Sequence, residues 1–144
     1  MTAAIHVDEF LPHPPAAVWH ALTDPEALNA WFLPSDFKPV VGHRFQLQAE
    51  PIEATKFSGV IACEVLELRP EELLSYSWTD ANNAGGLDSV VTWTLRPEGT
   101  GTRLFVEHSG FDLDDPQQKL AHTIMDGGWR SQVLRRLIQH LEAS

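Results

Sequence analysis

The fold of this chain is decided by residues 115–141, DPQQKLAHTIMDGGWRSQVLRRLIQHL. Asp115 can cap free backbone amides at a helix start, Pro116 suits the first helical position, and Gln118 completes a capping-box pattern. Apolar side chains then recur at the spacing of one wide helical stripe. The stripe comprises Leu120, Ala121, Ile124, Met125, Trp129, Val133, Leu134, Leu137, Ile138 and Leu141. We therefore predict one long C-terminal helix of about 40 Å.

The sequence before this helix indicates strands that surround two short helices. A first strand is predicted at residues 5–11, and it ends at the His-Pro-Pro breaker of residues 13–15. Pro15 opens a short helix, and Asp24 with Pro25 repeats the cap-then-proline start for a second one. The side-chain period then falls to two, which is typical of strands. These strands are predicted at residues 37–41, 44–49, 57–68, 73–79, 87–96 and 102–109.

Sequential strands joined by short turns imply an antiparallel meander. A shift in side-chain parity predicts a β-bulge between Glu64 and Leu66, and residues 82–86, NNAGG, read as a flexible hairpin loop. No internal repeat or linker interrupts the chain, so residues 1–144 are predicted to form one domain. We expect an α+β fold in which an antiparallel sheet of about seven strands wraps around the long helix.

Composition excludes several classes of partner. The formal net charge is -10, whereas nucleic acids and anionic membranes both need a basic surface. Cys63 is the only cysteine, so neither a disulfide framework nor a cysteine-based zinc site is expected. The first ten residues lack a basic and apolar leader, and no apolar run approaches membrane-spanning length. We expect a cytoplasmic protein that does not insert into membranes.

Motifs for catalysis and for metal or cofactor binding are missing from the sequence. There is no Gly-x-Ser-x-Gly elbow and no glycine loop with a following lysine and helix. Cys63 lies in an apolar alternation, which favours a core residue over a nucleophile. His122 and Asp126 share a helix face, but two ligands do not make a metal site. We predict no catalytic residue, no metal and no cofactor.

The run PPAAVWHALTDPEAL at residues 14–28, followed by Trp31, resembles the opening signature of the heat-shock-protein-90 ATPase activator homologue-like family. That family belongs to the START-like, or SRPBCC, superfamily. Further matches are Gly59 with Val65 and Glu67, LSYSW at 74–78, VTW at 91–93, GTRL at 101–104, HSGF at 108–111 and GW at 128–129. The resemblance implies a helix-grip fold, in which a curved sheet grips the long helix around a cavity for a small apolar molecule. It implies no shared catalytic residue.

The inward faces of the predicted elements supply candidate ligand-binding residues. They are Trp31, Phe45, Ile61, Tyr76, Trp78, Trp93, Val106, His108, Met125 and Trp129. Large aromatic side chains are mostly buried for packing, so the same residues can instead fill the core. His108 is the best polar candidate, with Tyr76 or Ser109 assisting, because it can bond a ligand carbonyl or hydroxyl. The alternative for His108 is a histidine satisfied by its neighbours.

Two glycines, Gly127 and Gly128, interrupt the long helix. Each costs about 1 kcal/mol relative to alanine in a helix interior. They can allow close packing of the helix against its neighbours, or they can make a kink that lets the first half of the helix move and admit a ligand. Both interpretations stay open at this level.

Three functions are compatible with these features. The leading prediction is a protein that binds a small apolar or aromatic molecule, as a carrier, a sensor or a sequestering protein. The second is a protein-interaction module of the chaperone-activator type, and the third is a cyclase- or aromatase-like enzyme that uses a titrating group such as His108. A monomer or weak homodimer is expected. The sequence does not name the ligand.

Overall fold

The structure is a computed structural model that describes residues 2–55, 57–82 and 87–143. Its strands are β1 (Thr2–Leu11), β2 (Arg44–Gln48), β3 (Val60–Arg69), β4 (Leu73–Asp80), β5 (Ser89–Glu98) and β6 (Gly101–Asp112). Its helices are α1 (Pro15–Thr23), α2 (Pro25–Trp31), α3 (Pro116–Gly128) and α4 (Leu134–Ala143), with a 3-10 turn at Glu53–Thr55 and a π turn at Trp129–Val133. In the described ranges, no helix has the length and hydropathy that a membrane span requires.

The strands form one antiparallel sheet in the order β1-β6-β5-β4-β3-β2, which has six strands within the described residues. From β2 to β6, each strand pairs with the next strand along the chain, and β1 then closes the order beside β6. The two short helices lie between β1 and β2 in sequence, and the long helix follows β6. The predicted α+β helix-grip fold is confirmed.

The strand predicted at residues 37–41 is wrong, which is why the sheet has six strands and not about seven. Pro39 has no N–H to donate to a ladder, and the Val40 N–H donates to the Lys38 carbonyl at 2.8 Å in a tight turn. Phe37 is 2% exposed and packs edge-on against Phe45 at 5.0 Å. A buried aromatic residue in a loop thus produced the apolar pattern that is typical of a strand. Of the predicted hairpin loop at 82–86, residues 83–86 lie outside the described residues.

The predicted β-bulge is confirmed between β3 and β4. Val65 pairs with Tyr76 and Glu67 with Ser75, so Leu66 is the extra residue on β3. Leu66 is consequently turned toward solvent and is 45% exposed. The bulge changes the side-chain parity along β3, as the sequence indicated.

Both predicted helix caps are present. The Asp24 side chain accepts a hydrogen bond from the Ala27 N–H at 3.0 Å, and the Asp115 side chain accepts one from the Gln117 N–H at 2.9 Å. The Gln118 Oε1 atom accepts from the Asp112 N–H at 2.8 Å. That bond joins the first turn of α3 to the end of β6 and fixes where the long helix leaves the sheet.

The long helix runs through residues 116–143, but its two halves are buried differently. In α4, the side chains of Leu134, Leu137 and Leu141 are buried. In α3, Gln118 is the buried residue, and Leu120 and Ile124 are 39% and 38% exposed. The π turn separates the two halves. The second half is therefore a core helix, and the first half lies over the sheet with its apolar side chains only partly covered.

Candidate functional site

A cleft of about 710 Å³ lies between the sheet, the long helix and the segments that flank β2. Most of its lining side chains are apolar, and the rest are amides, carboxylates and one guanidinium. The lining comprises Phe32, Leu33, Pro34, Gln48, Ala49, Glu50, Ile52, Phe57, Ile61, Trp78, Asp80, Leu87, Gln117, Gln118, Ala121, Ile124, Met125, Gly128, Trp129, Gln132, Val133 and Arg136. A cleft of this size is in the range of small-molecule sites in proteins.

The structure separates the ten predicted ligand-binding residues into two groups. Ile61, Trp78, Met125 and Trp129 line the cleft. The other six are buried in the core outside its lining: Trp31, Phe45, Tyr76, Trp93, Val106 and His108. Trp93, for example, lies behind Phe32 and Trp129, which do line the cleft.

Three aromatic rings in mutual contact form one wall of the cleft, which we call the aromatic wall: Phe32, Trp78 and Trp129. The ring centroids are 6.5 Å apart for Phe32 and Trp78, 5.9 Å for Trp78 and Trp129, and 6.3 Å for Phe32 and Trp129. Trp93 contacts Phe32 and Trp129 from behind, at 6.4 Å and 5.5 Å. The wall is therefore supported by a second layer of rings and can present a rigid apolar face to a ligand.

His108 is bonded on both ring nitrogens and is 0% exposed. The Trp129 indole N–H can only donate, so the His108 Nδ1 atom, 3.1 Å away, accepts. The Nε2 atom then carries the proton and donates at 2.9 Å to Ser89 Oγ, which itself donates at 2.6 Å to the Trp78 carbonyl. Burial, reinforced by the charge of His122, lowers the pKa of His108 to about 3. His108 is a neutral structural link, as the alternative interpretation of the sequence had it.

This chain of hydrogen bonds connects the aromatic wall to the sheet. Trp129 is the first residue of the π turn, and its indole reaches β6 through His108. Trp78 belongs to β4, and its carbonyl receives the other end of the chain through Ser89 on β5. Two residues of the aromatic wall are thus held by one buried network, and the joint between α3 and α4 is fixed to three strands.

Asp80 is the most buried charged residue in the lining, with 8% exposure. Burial raises the pKa of its carboxyl, but hydrogen bonds from the Ser58 N–H, the Asn82 N–H and the Ser58 hydroxyl outweigh this and lower the pKa overall. Asp80 is therefore an ionised group whose oxygens are already occupied. It joins Ser58, two residues before β3, to the end of β4 and does not act as a free acid.

Gly128 lines the cleft and Gly127 does not. A Cβ atom added to either glycine would meet no atom within 4 Å, so the interpretation that they allow close packing is wrong. Gly128 has φ -64° and ψ -45°, ordinary helical values that every residue can adopt. Neither packing nor backbone geometry requires glycine at these positions. At residue 128, a larger side chain would begin at the wall of the cleft.

Comparison with known proteins gives the family. The sequence matches the family described as "Activator of Hsp90 ATPase homolog 1-like protein" over residues 12–142. The chain belongs to this family. It follows that the protein is a member of the START-like, or SRPBCC, superfamily, in agreement with the resemblance found in the sequence. No curated protein matches the chain.

Solved structures similar to this family member cover nearly its whole length. Protein MLL2253 from Mesorhizobium loti is 40% identical, with 99% of this chain and 98% of that chain covered and a TM-score of 0.86. Protein BH1534 from Bacillus halodurans is 28% identical, with coverages of 98% and 99% and a TM-score of 0.76. CalU16 from Micromonospora echinospora is 24% identical, with coverages of 99% and 85% and a TM-score of 0.64, which supports the fold alone.

Sequence reasoning missed most of the lining of this START-like cleft. Connections between elements, where no periodic pattern marks a face, contribute Leu33, Pro34, Ala49, Glu50 and Ile52. On the long helix, however, a usable signal existed. Met125, Gly128 and Trp129, Gln132 and Val133, and Arg136 recur at intervals of three and four and all line the cleft. This helix face crosses from the apolar stripe into the polar side, so a search for apolar residues could not find its polar members.

Proposed function

We propose that this protein binds a small apolar or aromatic molecule in the cleft under the long helix, as a carrier, a sensor or a sequestering protein. The observation that carries the proposal is the cleft of about 710 Å³ with Gly128 in its wall. A glycine inside a helix costs about 1 kcal/mol relative to alanine, and no contact or backbone angle explains it here. At residue 128, the missing side chain leaves open space in the cleft that a ligand can occupy.

The chemistry of the lining favours binding over catalysis. An enzyme of the cyclase or aromatase kind needs a titrating group next to its substrate. His108, the predicted candidate, lies outside the lining and uses both ring nitrogens within the protein. Asp80 lies in the lining, but three hydrogen bonds occupy its carboxylate. The aromatic wall, by contrast, offers the rigid apolar surface that a binding protein needs.

The two neighbouring glycines allow a matched test. Gly128→Leu places a side chain into the cleft, whereas Gly127→Leu places the same side chain outside its lining. Leucine is a better helix former than glycine, so both variants should unfold at the same or a higher temperature than the wild type. Titration with the neutral fluorescent probe N-phenyl-naphthylamine should show binding to the wild type and to Gly127→Leu. In Gly128→Leu, the affinity for the probe should fall by about tenfold or more, because the leucine side chain occupies space in the cleft. A tenfold fall corresponds to about 1.4 kcal/mol of binding free energy.

Two further readouts come from the same titration. Because Trp78 and Trp129 line the cleft, bound probe should quench tryptophan fluorescence and accept its energy. Bound probe should also raise the melting temperature, because it is held by the folded state. Absence of probe binding to the wild type, or equal binding by the two leucine variants, would refute the proposal. Probe-independent co-purification with one protein partner would then favour the interaction-module alternative.

A further inference from the structure

We propose that the ligand of this cleft is an amphipathic acid whose carboxylate pairs with Arg136. This inference rests on the proposed function and specifies the chemical class of the ligand. The apolar body of the ligand lies along the helix face formed by Gly128, Trp129 and Val133, and its acid group lies at the end of that face.

The Arg136 guanidinium is available to a ligand. Arg136 lines the cleft, yet within residues 2–55, 57–82 and 87–143 no side-chain hydrogen bond or ion pair involves its guanidinium. Other arginines of the chain do hold carboxylates, namely Arg44, Arg69, Arg103 and Arg130. A guanidinium has five donors in a planar fork that matches a carboxylate in a bidentate manner. Arg136 therefore brings unused anion-binding capacity to the cleft.

The other charges of the lining favour an acid over an amine. Asp80 is already occupied by Ser58 and Asn82, so it has little capacity left for a ligand cation. Glu50 and Arg136 are both exposed residues of the lining, so exposure alone does not distinguish them. A guanidinium is weakly hydrated and loses less on partial burial by a ligand. The net charge of -10 repels anions at long range, but physiological salt screens charges beyond about 8 Å, so the local guanidinium dominates at contact.

The spacing along the helix sets the length of the ligand. Arg136 lies eight positions after Gly128, which corresponds to about 12 Å at the helical rise per residue. Both ends of this span line the cleft, and Val133 lies between them on the same face. An acid group at Arg136 thus leaves room for an apolar body of about 12 Å before the glycine. A medium-chain alkyl acid or an aryl acid with two rings fits this length.

Displacement of bound N-phenyl-naphthylamine by three matched compounds tests the inference. Decanoate, decanol and decylamine share one chain and differ in the head group. In the wild type, decanoate should displace the probe at about tenfold lower concentration than decanol, as expected of a charge-assisted bidentate pair. Arg136→Gln should remove this preference and leave displacement by decanol unchanged. Arg135→Gln makes the same charge change at the adjacent residue, which is exposed like Arg136 but does not line the cleft, and should keep the preference.

Each other outcome is decisive. Equal displacement by decanoate and decanol in the wild type overturns the inference and leaves the proposed function standing, because the cleft has then bound both. If Arg135→Gln and Arg136→Gln lose the preference for decanoate equally, the preference is a general effect of charge and the inference is overturned. Stronger displacement by decylamine overturns it in favour of Glu50 as the polar contact. No binding of the probe at all overturns the proposed function together with the inference. Unchanged displacement by decanol serves as the folding control for both variants.

Discussion

The two halves of the terminal helix differ in what holds them. In α4, Leu134, Leu137 and Leu141 are buried, at 4%, 0% and 4% exposure. In α3, Leu120 and Ile124 occupy equivalent stripe positions and are 39% and 38% exposed. One amphipathic pattern thus serves two tasks. The second half holds the helix to the core, and the first half covers a cleft that it does not fill.

The joint between these halves is bonded to the sheet by a side chain. It combines the two glycines, the π turn and the Trp129 indole that donates to His108. A π turn inserts one extra residue per turn and is frequent at functional sites. Here the Trp129 indole N–H bonds to the buried network, while Gly128 and Trp129 both line the cleft. The comparison therefore predicts that changes in α4 destabilise the fold, that changes at the joint loosen α3, and that changes in α3 are tolerated.

The largest effect is expected in α4. Leu137→Ala removes a side chain that is 0% exposed and should lower the free energy of unfolding by about 2–5 kcal/mol, through lost burial and the cavity left behind. Leu120→Ala in α3 makes the same chemical change at a 39% exposed residue and should cost at most about 0.5 kcal/mol. Urea denaturation of both variants measures the difference. Similar losses in the two variants would show that α3 is packed as firmly as α4.

A smaller effect is expected from pH, through His108. Its pKa is lowered from an ordinary 6.5 to about 3, so protonation favours the unfolded chain. The stability from neutral His108 is fully present above about pH 6.5 and is lost as pH falls toward the folded pKa. The slope approaches about 1.4 kcal/mol per pH unit.

Denaturation at several pH values between about 6.5 and 4.5 measures this slope, and this window lies above the ordinary range of Asp80. His108→Gln should show a shallower pH dependence than the wild type, whatever its absolute stability. The same slope in both proteins would mean that His108 does not stay neutral in the folded state. The stability of the joint between the helix halves would then not depend on the protonation state of His108.

The smallest effect concerns the donor at the joint. Trp129→Phe keeps an aromatic ring and removes the N–H that His108 Nδ1 accepts. A buried acceptor left without its donor costs about 1–3 kcal/mol. Trp31→Phe is the control. It also removes a buried indole N–H, whose hydrogen bond to the Ala21 carbonyl has a similar length of 2.8 Å, but at a site away from the joint.

Hydrogen exchange separates these two variants. Amide exchange in α3 should become faster in Trp129→Phe and stay unchanged in Trp31→Phe, since the joint is held to the sheet through Trp129. If both variants leave α3 exchange unchanged, the first half of the helix is held by its own contacts. If both accelerate it, the effect is a general loss of core stability.

Prediction from the sequence succeeded where one local signal sufficed. The caps at Asp24 and Asp115 were found because a carboxylate followed by proline marks a helix start. The bulge at Leu66 was found because parity along a strand depends only on neighbouring residues. The strand at 37–41 failed because Phe37 is buried by tertiary contact with Phe45 and not by a sheet.

Prediction of the site also succeeded for local features and failed for tertiary contacts. Inward-facing residues could be named from period alone, and Ile61, Trp78, Met125 and Trp129 do line the cleft. His108 was found as the inward polar residue, but its two partners, Ser89 and Trp129, lie 19 and 21 positions away and belong to other elements. Pattern reasoning therefore identified the residue and could not tell whether a ligand or the protein satisfies it.

By itself, the sequence determined the elements, their order, the family and the inward faces, because periodicity and capping act over a few neighbouring residues. Only the tertiary structure decided which inward residues are covered and which remain open. Phe32 and Trp129, which lie far apart in the sequence, contact each other and cover Trp93. By contrast, a Cβ atom added to Gly128 would have no neighbour within 4 Å. The depth of a residue and the empty space beside it depend on how segments that are distant in sequence pack together. A local sequence pattern does not contain this information.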